Sequence, residues 1–106
     1  MAFTGNEDHR ISLAEAAKFT KNYRKQMSDK DIKGGFFGRD AIRDLLSQSD
    51  CVGIRIYNGL DDDDKPNFVL TGVLANEDDI DDGLIMERGL PCPPDCGKAN
   101  SLNSDN

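Results

Sequence analysis

Two cysteines near the C-terminal end of the chain have the type and spacing that most resemble a chemical site. Cys92 and Cys96 lie in "GLPCPPDCGKANSLN", with two prolines and an aspartate between them. If this stretch were fully extended, the two thiols would lie about 12 Å apart and could not act together. A tight turn through the prolines would bring them within reach of a disulfide or of a shared metal ion.

A structural zinc ion needs four ligands, so the two cysteines would require help from elsewhere in the chain. The chain offers only Cys51 and its single histidine, His9, and the resulting set matches no short zinc-binding motif. A redox pair or a labile disulfide is another interpretation, although no basic residue lies inside the turn to stabilise a thiolate. We favour thiols that only pack, and therefore no cofactor. Zinc binding or thiol redox chemistry at Cys92 and Cys96 is the alternative.

A second candidate site lies on two predicted strands. Arg55 and Tyr57 alternate with apolar residues in "CVGIRIYNG", and Val69 and Thr71 lie on the returning segment "FVLTGVLA". Arginine and tyrosine are common anchors of protein interfaces, so we predict that these four residues bind a partner. The alternative is structural, with Arg55 paired to a nearby carboxylate and Tyr57 packed beneath the tail.

The remaining polar motifs favour neither catalysis nor a tight cation site. The acidic stretch at 76–83 departs from a calcium-binding loop, because Ile80 occupies a ligand position and Gly89 stands where a glutamate is needed. The aspartate run at 61–65 also lacks that pattern. The sequence contains no nucleophile motif, phosphate loop or dinucleotide-binding motif. We predict solvated acidic loops and no enzymatic activity.

Two segments show the three- and four-residue spacing of amphipathic helices. In "ISLAEAAKFTKNYRKQM", Ser12 and Glu15 form the S-x-x-E pattern of a capping box, which predicts a helix over 13–27. "RDAIRDLLSQ" predicts a second, short helix over 39–48. We expect the glycine-rich "SDKDIKGGFFG" between them to be a loop.

The hydrophobic period then changes to two, which indicates strands. "CVGIRIYNG" predicts a strand with one buried face, and "FVLTGVLA" predicts a central strand because it is apolar on both faces, so "GLIMERG" must supply a third. The predicted fold is α+β, with two N-terminal helices packed on one face of a three-stranded antiparallel meander. We expect a single domain over 1–88, strapped by an extended proline- and cysteine-containing tail over 89–106 whose end is mobile.

The overall charge restricts the class of partner. The 106 residues carry a net charge of −7, which disfavours nucleic acid and anionic membrane surfaces but allows a basic protein partner. A second copy that covers an apolar sheet face, and so a homodimer, is a further option. Because the chain has no signal-peptide pattern and no long apolar run, we expect a cytoplasmic protein.

Three stretches, "HRISLAEAAKFTKNYR", "CVGIRIYNG" and "GLPCPPDCGKANSLN", together resemble a family of small, uncharacterised bacterial proteins of about this length. The resemblance covers most of the chain and includes the C-P-P-x-C motif of the tail. It implies that the three stretches occur together as features of one kind of protein. It implies no activity and no site residues.

These observations predict a small acidic binding module that is not an enzyme and engages a protein partner. One alternative is a zinc-binding or thiol redox protein that uses Cys92 and Cys96. Another is an acidic inhibitor or immunity protein that neutralises a basic toxin or nuclease.

Overall fold

The structure is a computed structural model and describes residues 2–28, 31–87 and 89–104. The chain divides into two compact units, which we call the sheet unit (residues 1–7 and 37–89) and the tail unit (residues 8–36 and 90–106). None of the helices in the described ranges is long and apolar enough to cross a membrane. Within these ranges the helices and strands are α1 (Leu13–Arg24), β1 (Gly34–Phe36), α2 (Arg39–Leu46), β2 (Cys51–Leu60), β3 (Pro66–Leu74), β4 (Ile85–Met86) and β5 (Leu90–Cys92).

Helix α1 of the tail unit begins where the sequence predicts. The Ser12 hydroxyl accepts a hydrogen bond from the Glu15 amide at 3.0 Å, which satisfies one of the free N–H groups at the helix start. The helix ends at Arg24 rather than at 27, because the chain tightens there. The Gln26 and Met27 amides bond to carbonyls three residues earlier, as in a 3₁₀ turn.

The glycine-rich stretch after α1, predicted to be a loop, contains strand β1. This strand pairs antiparallel with β5, so that Gly34 lies opposite Cys92 and Phe36 lies opposite Leu90. The Lys33 amide adds a hydrogen bond to the Cys92 carbonyl at 2.7 Å. Glycines are depleted in strands, so the local sequence does not indicate β1, and its pairing with the tail is what makes it a strand.

The C-terminal residues return to α1. Arg24 donates hydrogen bonds to the carbonyls of Leu102 (2.8 Å) and Ser104 (3.2 Å), and the Lys33 ammonium group donates to the Asn103 carbonyl. The described end of the tail is therefore bonded to other parts of the tail unit. The last two residues of the predicted mobile end lie outside the described residues.

The sheet unit contains the predicted antiparallel meander, in the order β2-β3-β4. β2 and β3 pair from Cys51 opposite Leu74 to Leu60 opposite Pro66, with one register shift next to Cys51. The two strands are joined by residues 61–65, the predicted acidic loop. The third strand predicted from "GLIMERG" is confirmed as β4, which is two residues long.

The core of the sheet unit lies between α2 and the β2–β3 hairpin. Leu45 of α2 is fully buried, and Leu70 of β3 is 3% exposed. Gln48, two residues after the end of α2, approaches the sheet closely at Gly72, where a Cβ atom would lie 2.7 Å from its Nε2 atom. The Gln48 Oε1 atom accepts a hydrogen bond from the Leu84 amide at 2.8 Å. One side chain therefore joins the helix end to the segment that leads into β4.

The predicted α+β fold with a three-stranded antiparallel meander is confirmed. Helix α2 packs on β2 and β3, whereas α1 belongs to the tail unit. The two units divide after Gly89, and residues 8–36 group with the tail residues. A common sheet face for the two helices and a tail that straps the sheet stay predictions.

Candidate functional site

A polar cluster on the β2–β3 hairpin brings together two of the predicted site residues and one acidic residue. The Arg55 guanidinium donates to one carboxylate oxygen of Asp79 at 2.6 Å and to the Glu77 carbonyl at 3.1 Å. The Tyr57 hydroxyl donates to the other Asp79 oxygen at 2.5 Å. Both oxygens of one carboxylate are engaged, which fixes the orientation of the arginine and the tyrosine.

Three parts of the sheet unit position this cluster. Arg55 and Tyr57 lie two residues apart on β2 and therefore share one face of the sheet. An isolated β-bridge to β3 holds Asp79 in place. The N-terminal segment adds an aromatic side chain, because the Phe3 amide bonds to the Ala75 carbonyl at 2.8 Å. The Phe3 ring centroid lies 5.8 Å from the Arg55 guanidinium carbon.

The N-terminal segment is anchored by a carboxylate of its own. Glu7 accepts hydrogen bonds from the Thr4 and Gly5 amides, both at 2.9 Å. Backbone hydrogen bonds, the largest effect coming from Thr4, lower the pKa of Glu7 to about 2. Gly5 has a φ of +90°, and a Cβ atom there would lie 2.9 Å from the Val52 carbonyl oxygen, so glycine is required. The segment therefore lies against the start of β2.

The charges of the polar cluster stabilise one another. The hydrogen bond from Tyr57, followed by the one from Arg55, lowers the pKa of Asp79. The Asp79 carboxylate in turn raises the pKa of Arg55. The two charged side chains are 31% and 26% exposed, so solvent screens part of this attraction. The cluster fixes the turn after β3. Its positive and negative charges are paired with each other.

The four predicted partner-binding residues do not form one open surface. Tyr57 is 45% exposed, and Val69, directly opposite it on β3, is half-buried. Thr71 lies opposite Arg55 but is 4% exposed, so its side chain is closed to a partner. Arg55 is paired with Asp79, as the structural alternative for this residue expects. Tyr57 is therefore the most accessible member of the set.

Cys92 and Cys96 form a disulfide, with their Cα atoms 4.8 Å apart. The interpretation of these residues as free packing thiols is therefore wrong. The turn between them is closed by a hydrogen bond of 2.8 Å from the Asp95 amide to the Pro91 carbonyl. Cys92 is half-buried in β5, whereas Cys96 is exposed. The disulfide ties the end of β5 to the start of the C-terminal segment.

The zinc alternative finds no assembled ligand set in the described residues. Cys92 and Cys96 offer no thiolate while their disulfide is intact. Cys51 is a half-buried free thiol of the sheet unit, 3.2 Å from the Gly53 carbonyl oxygen, and His9 is an exposed residue of the tail unit. No three histidine, cysteine, aspartate or glutamate side chains in the described ranges are grouped to hold a metal ion.

Two members of the polar cluster, Asp79 and Phe3, were not among the predicted site residues. An arginine on a largely apolar strand indicates that some carboxylate must pair with it, because an unpaired charge is costly to bury. The stretch 76–83 offers several acidic residues at similar distances along the chain. Only the path of the turn after β3 decides which of them reaches Arg55.

No family model, no curated protein and no solved structure matches this chain. The resemblance of its three sequence stretches to a family of small bacterial proteins therefore stays a prediction, and the function has to be inferred from the geometry.

Proposed function

We propose that the protein is a small acidic binding module, without catalytic activity of its own, that engages a basic protein partner. The observation that supports this proposal is the charge of the sheet unit. Its residues include fourteen Asp and Glu but only five Lys and Arg, a net charge of −9. A surface of this sign attracts a basic partner and repels nucleic acid and anionic membranes.

The acidic groups are concentrated at both ends of the hairpin. The tip, residues 61–65, joins β2 to β3, and residues 75–84 follow β3 at the other end. Between these loops Tyr57 offers a partly exposed aromatic ring, which suits it to an interface. Four exposed carboxylates of the loops form no ion pair with any described residue: Asp62, Asp63, Asp81 and Asp82. These carboxylates are available to form ion pairs with basic side chains of a partner.

A charge-matched pair of variants tests this proposal. The loop variant changes Asp62, Asp63, Asp81 and Asp82 to asparagine. The control removes the same amount of charge elsewhere in the sheet unit, through Asp40→Asn, Asp44→Asn, Asp50→Asn and Glu87→Gln. Each protein is immobilised and used to capture partners from native lysate at increasing salt, with mass spectrometry as the readout.

We expect the wild-type protein and the control to retain one basic protein that high salt releases, and the loop variant to lose it. Equal capture by both variants, or capture of a protein that is not basic, would contradict the proposal. If the captured protein is a toxin or nuclease, loss of its activity at equimolar ratio would identify the module as an inhibitor.

A second candidate function, thiol–disulfide exchange, is supported by the bond between Cys92 and Cys96. A thiolate of another protein would attack the exposed Cys96 sulfur, forming a mixed disulfide and releasing Cys92 as a thiolate. A second thiolate of that protein would then displace Cys96, so that the partner is oxidised and this chain gains two electrons. Disulfides are typical of oxidising compartments, and the cytoplasmic location stays a prediction.

Single-cysteine variants test the exchange reaction. In the reverse direction the exposed Cys96 thiolate would attack a disulfide of the partner and Cys92 would resolve the intermediate. The Cys92→Ser variant, which lacks the resolving thiol, should therefore accumulate mixed disulfides on non-reducing gels. The Cys96→Ser variant, left with the half-buried Cys92, should accumulate far fewer. Equal amounts in both variants, or none in either, would argue against this function.

A further inference from the structure

The outer edge of β2 has no strand beside it in the described part of the chain. The sheet order is β2-β3-β4, so β2 is an edge strand, and it is ten residues long. The opposite edge is formed by β4, which is only two residues long. Long edge strands expose a row of unpaired backbone groups that can bond to another strand.

The hairpin register shows which backbone groups face outward. The Asp61 amide bonds to the Lys65 carbonyl at 2.9 Å, so Asp61 faces β3, and residues alternate from there along β2. Arg55, Tyr57 and Gly59 therefore bond to β3. The hydrogen bonding of Gly72 on β3 indicates the same alternation of the backbone groups along β2. The Gly72 carbonyl accepts from Ile80 on the far side of β3, so Ile54, opposite Gly72, has its groups directed away from β3.

Four residues of β2 consequently present their N–H and C=O groups on the free edge: Ile54, Ile56, Asn58 and Leu60. No backbone hydrogen bond joins these groups to any described residue outside the hairpin. The edge is also apolar, with Ile56 61% and Leu60 66% exposed. Natural edge strands are commonly protected by charges or proline, but β2 contains neither apart from Arg55, which Asp79 neutralises.

We propose that a second copy of the chain pairs with this edge, β2 against β2 in antiparallel orientation, with the twofold axis at Tyr57. The free edge runs from Ile54 to Leu60, and Tyr57 is its midpoint. In this register Ile54 of one copy lies opposite Leu60 of the other, and Ile56 lies opposite Asn58. All four outward-facing residues then form hydrogen-bonded pairs, giving about eight hydrogen bonds between the chains. The two three-stranded sheets become one continuous sheet.

Several features of the chain favour a second copy in this register. The N-terminal segment lies against Val52, which closes the edge just before Ile54 and limits the register to 54–60. Arg55 faces Gly59 of the other copy, so that no like charges lie directly opposite each other. The two Tyr57 rings meet side by side at the axis as an aromatic cross-strand pair.

In this register the two acidic hairpin tips do not repel each other strongly at physiological salt. The strand Cys51–Leu60 contains no acidic residue, and the aspartate run begins just after it. In the proposed register Asp62 of one copy lies ten residues along the sheet from Asp62 of the other, about 34 Å away. This separation is about four times the Debye length of about 8 Å, so the two hairpin tips barely repel each other.

Sedimentation velocity of the full chain over a wide concentration range tests the proposal. We expect reversible dimerisation of the wild-type protein. Asn58→Pro removes one outward N–H group that the hairpin does not use, and it should weaken the dimer at least about tenfold. Asn58→Ala, the matched control, should change the dimer dissociation constant less than about threefold. Because proline can also disturb the strand, a second variant, Leu60→Lys, places a charge at an exposed residue of the free edge. Circular dichroism checks that this variant folds.

Disulfide trapping tests the register itself, in a Cys51→Ser background. Across a non-hydrogen-bonded antiparallel pair the Cα atoms lie about 4.5 Å apart, within disulfide range, so Tyr57→Cys should form a covalent dimer under mild oxidation. Leu60→Cys should not, because the two copies of residue 60 would lie about 20 Å apart. A protein that is monomeric at every concentration, a dimer that survives both Asn58→Pro and Leu60→Lys, or trapping at residue 60 instead of 57 would overturn the proposal.

Discussion

Different interactions stabilise the sheet unit and the tail unit of this small chain. In the tail unit no described residue is buried, and Phe19 and Phe36 are more than half exposed. The contacts of its described residues include a disulfide, a short strand pair and the hydrogen bonds that Arg24 and Lys33 donate to tail carbonyls. Every buried residue of the described chain belongs to the sheet unit: Leu45, Leu70, Thr71, Gly72 and Val73.

The difference shows how a small protein can combine two ways of offsetting conformational entropy. A helix packed on a hairpin removes enough apolar surface from water to form a core. A smaller unit buries too little apolar surface for this, and a covalent bond reduces instead the entropy of its unfolded chain. We therefore expect the two units to respond to different perturbations.

The units also differ in charge. The sheet unit carries a net charge of −9, whereas the tail unit contains six Asp and Glu against eight Lys and Arg, a net charge of +2. The overall charge of −7 is the sum of these opposite contributions. The proposed affinity for a basic partner is therefore a property of the sheet unit.

Among the changes that distinguish the two units, a substitution in the core of the sheet unit should cause the largest loss of stability. Leu45→Ala should destabilise the sheet unit by about 2–5 kcal/mol, since it leaves a cavity at a fully buried position. Leu46→Ala is the matched control, because this neighbour in the same helix is 47% exposed and should cost less than about 1 kcal/mol. Urea unfolding followed by circular dichroism measures both. Similar losses for the two variants would contradict a core centred on α2 and the hairpin.

The tail unit should respond instead to loss of its disulfide. Changing Cys92 and Cys96 to serine should destabilise this unit by about 2 kcal/mol, the entropy expected for closing so short a loop. Hydrogen exchange should quicken at the Lys33 and Asp95 amides, which bond within the tail unit, and should stay unchanged at the Ile80 amide of the sheet unit. Equal quickening in both units would mean that they unfold as one.

A smaller effect distinguishes two neighbours in the hairpin tip. The Asp61 carboxylate accepts hydrogen bonds from the Asp63 amide at 2.8 Å and the Lys65 amide at 2.9 Å. Asp61→Ala should therefore cost about 1 kcal/mol, like the loss of a helix cap. Asp62→Ala removes an exposed side chain without a hydrogen-bond partner in the described chain and should change stability by less than about 0.5 kcal/mol. Equal effects in thermal unfolding would show that the tip is only a solvated loop.

The smallest expected effect is a pH dependence at the N-terminus. Because the pKa of Glu7 is lowered from its ordinary value of 4.5 to about 2, its contribution to stability is complete above pH 4.5 and is lost as the pH falls through 2. The Thr4 and Gly5 amide resonances should shift over this window in the wild-type protein. In Glu7→Gln they should not shift there. A midpoint near 4.5 in the wild-type protein would show that these hydrogen bonds do not form in solution.

Features that depend on neighbours in the sequence were predictable. The S-x-x-E pattern placed the start of α1 at Leu13, and the change to a two-residue period located the hairpin and the third strand. The same reasoning missed β1, because Gly34 and Gly35 carry no strand signal and form a strand only against the tail. Thr71 was predicted to bind a partner, whereas its side chain is only 4% exposed and the N-terminal segment and the turn after β3 lie on that side of the sheet.

The sequence by itself determined the charge, the helix start, the hairpin and its acidic tip, because each depends on residues a few positions apart. The tertiary structure decided that Cys92 and Cys96 are joined by a disulfide, which acidic residue pairs with Arg55, and which edge of the sheet has no neighbouring strand among the described residues. Several residues or strands of the sequence could fill each of these places, and only the path of the chain through space brings particular ones together.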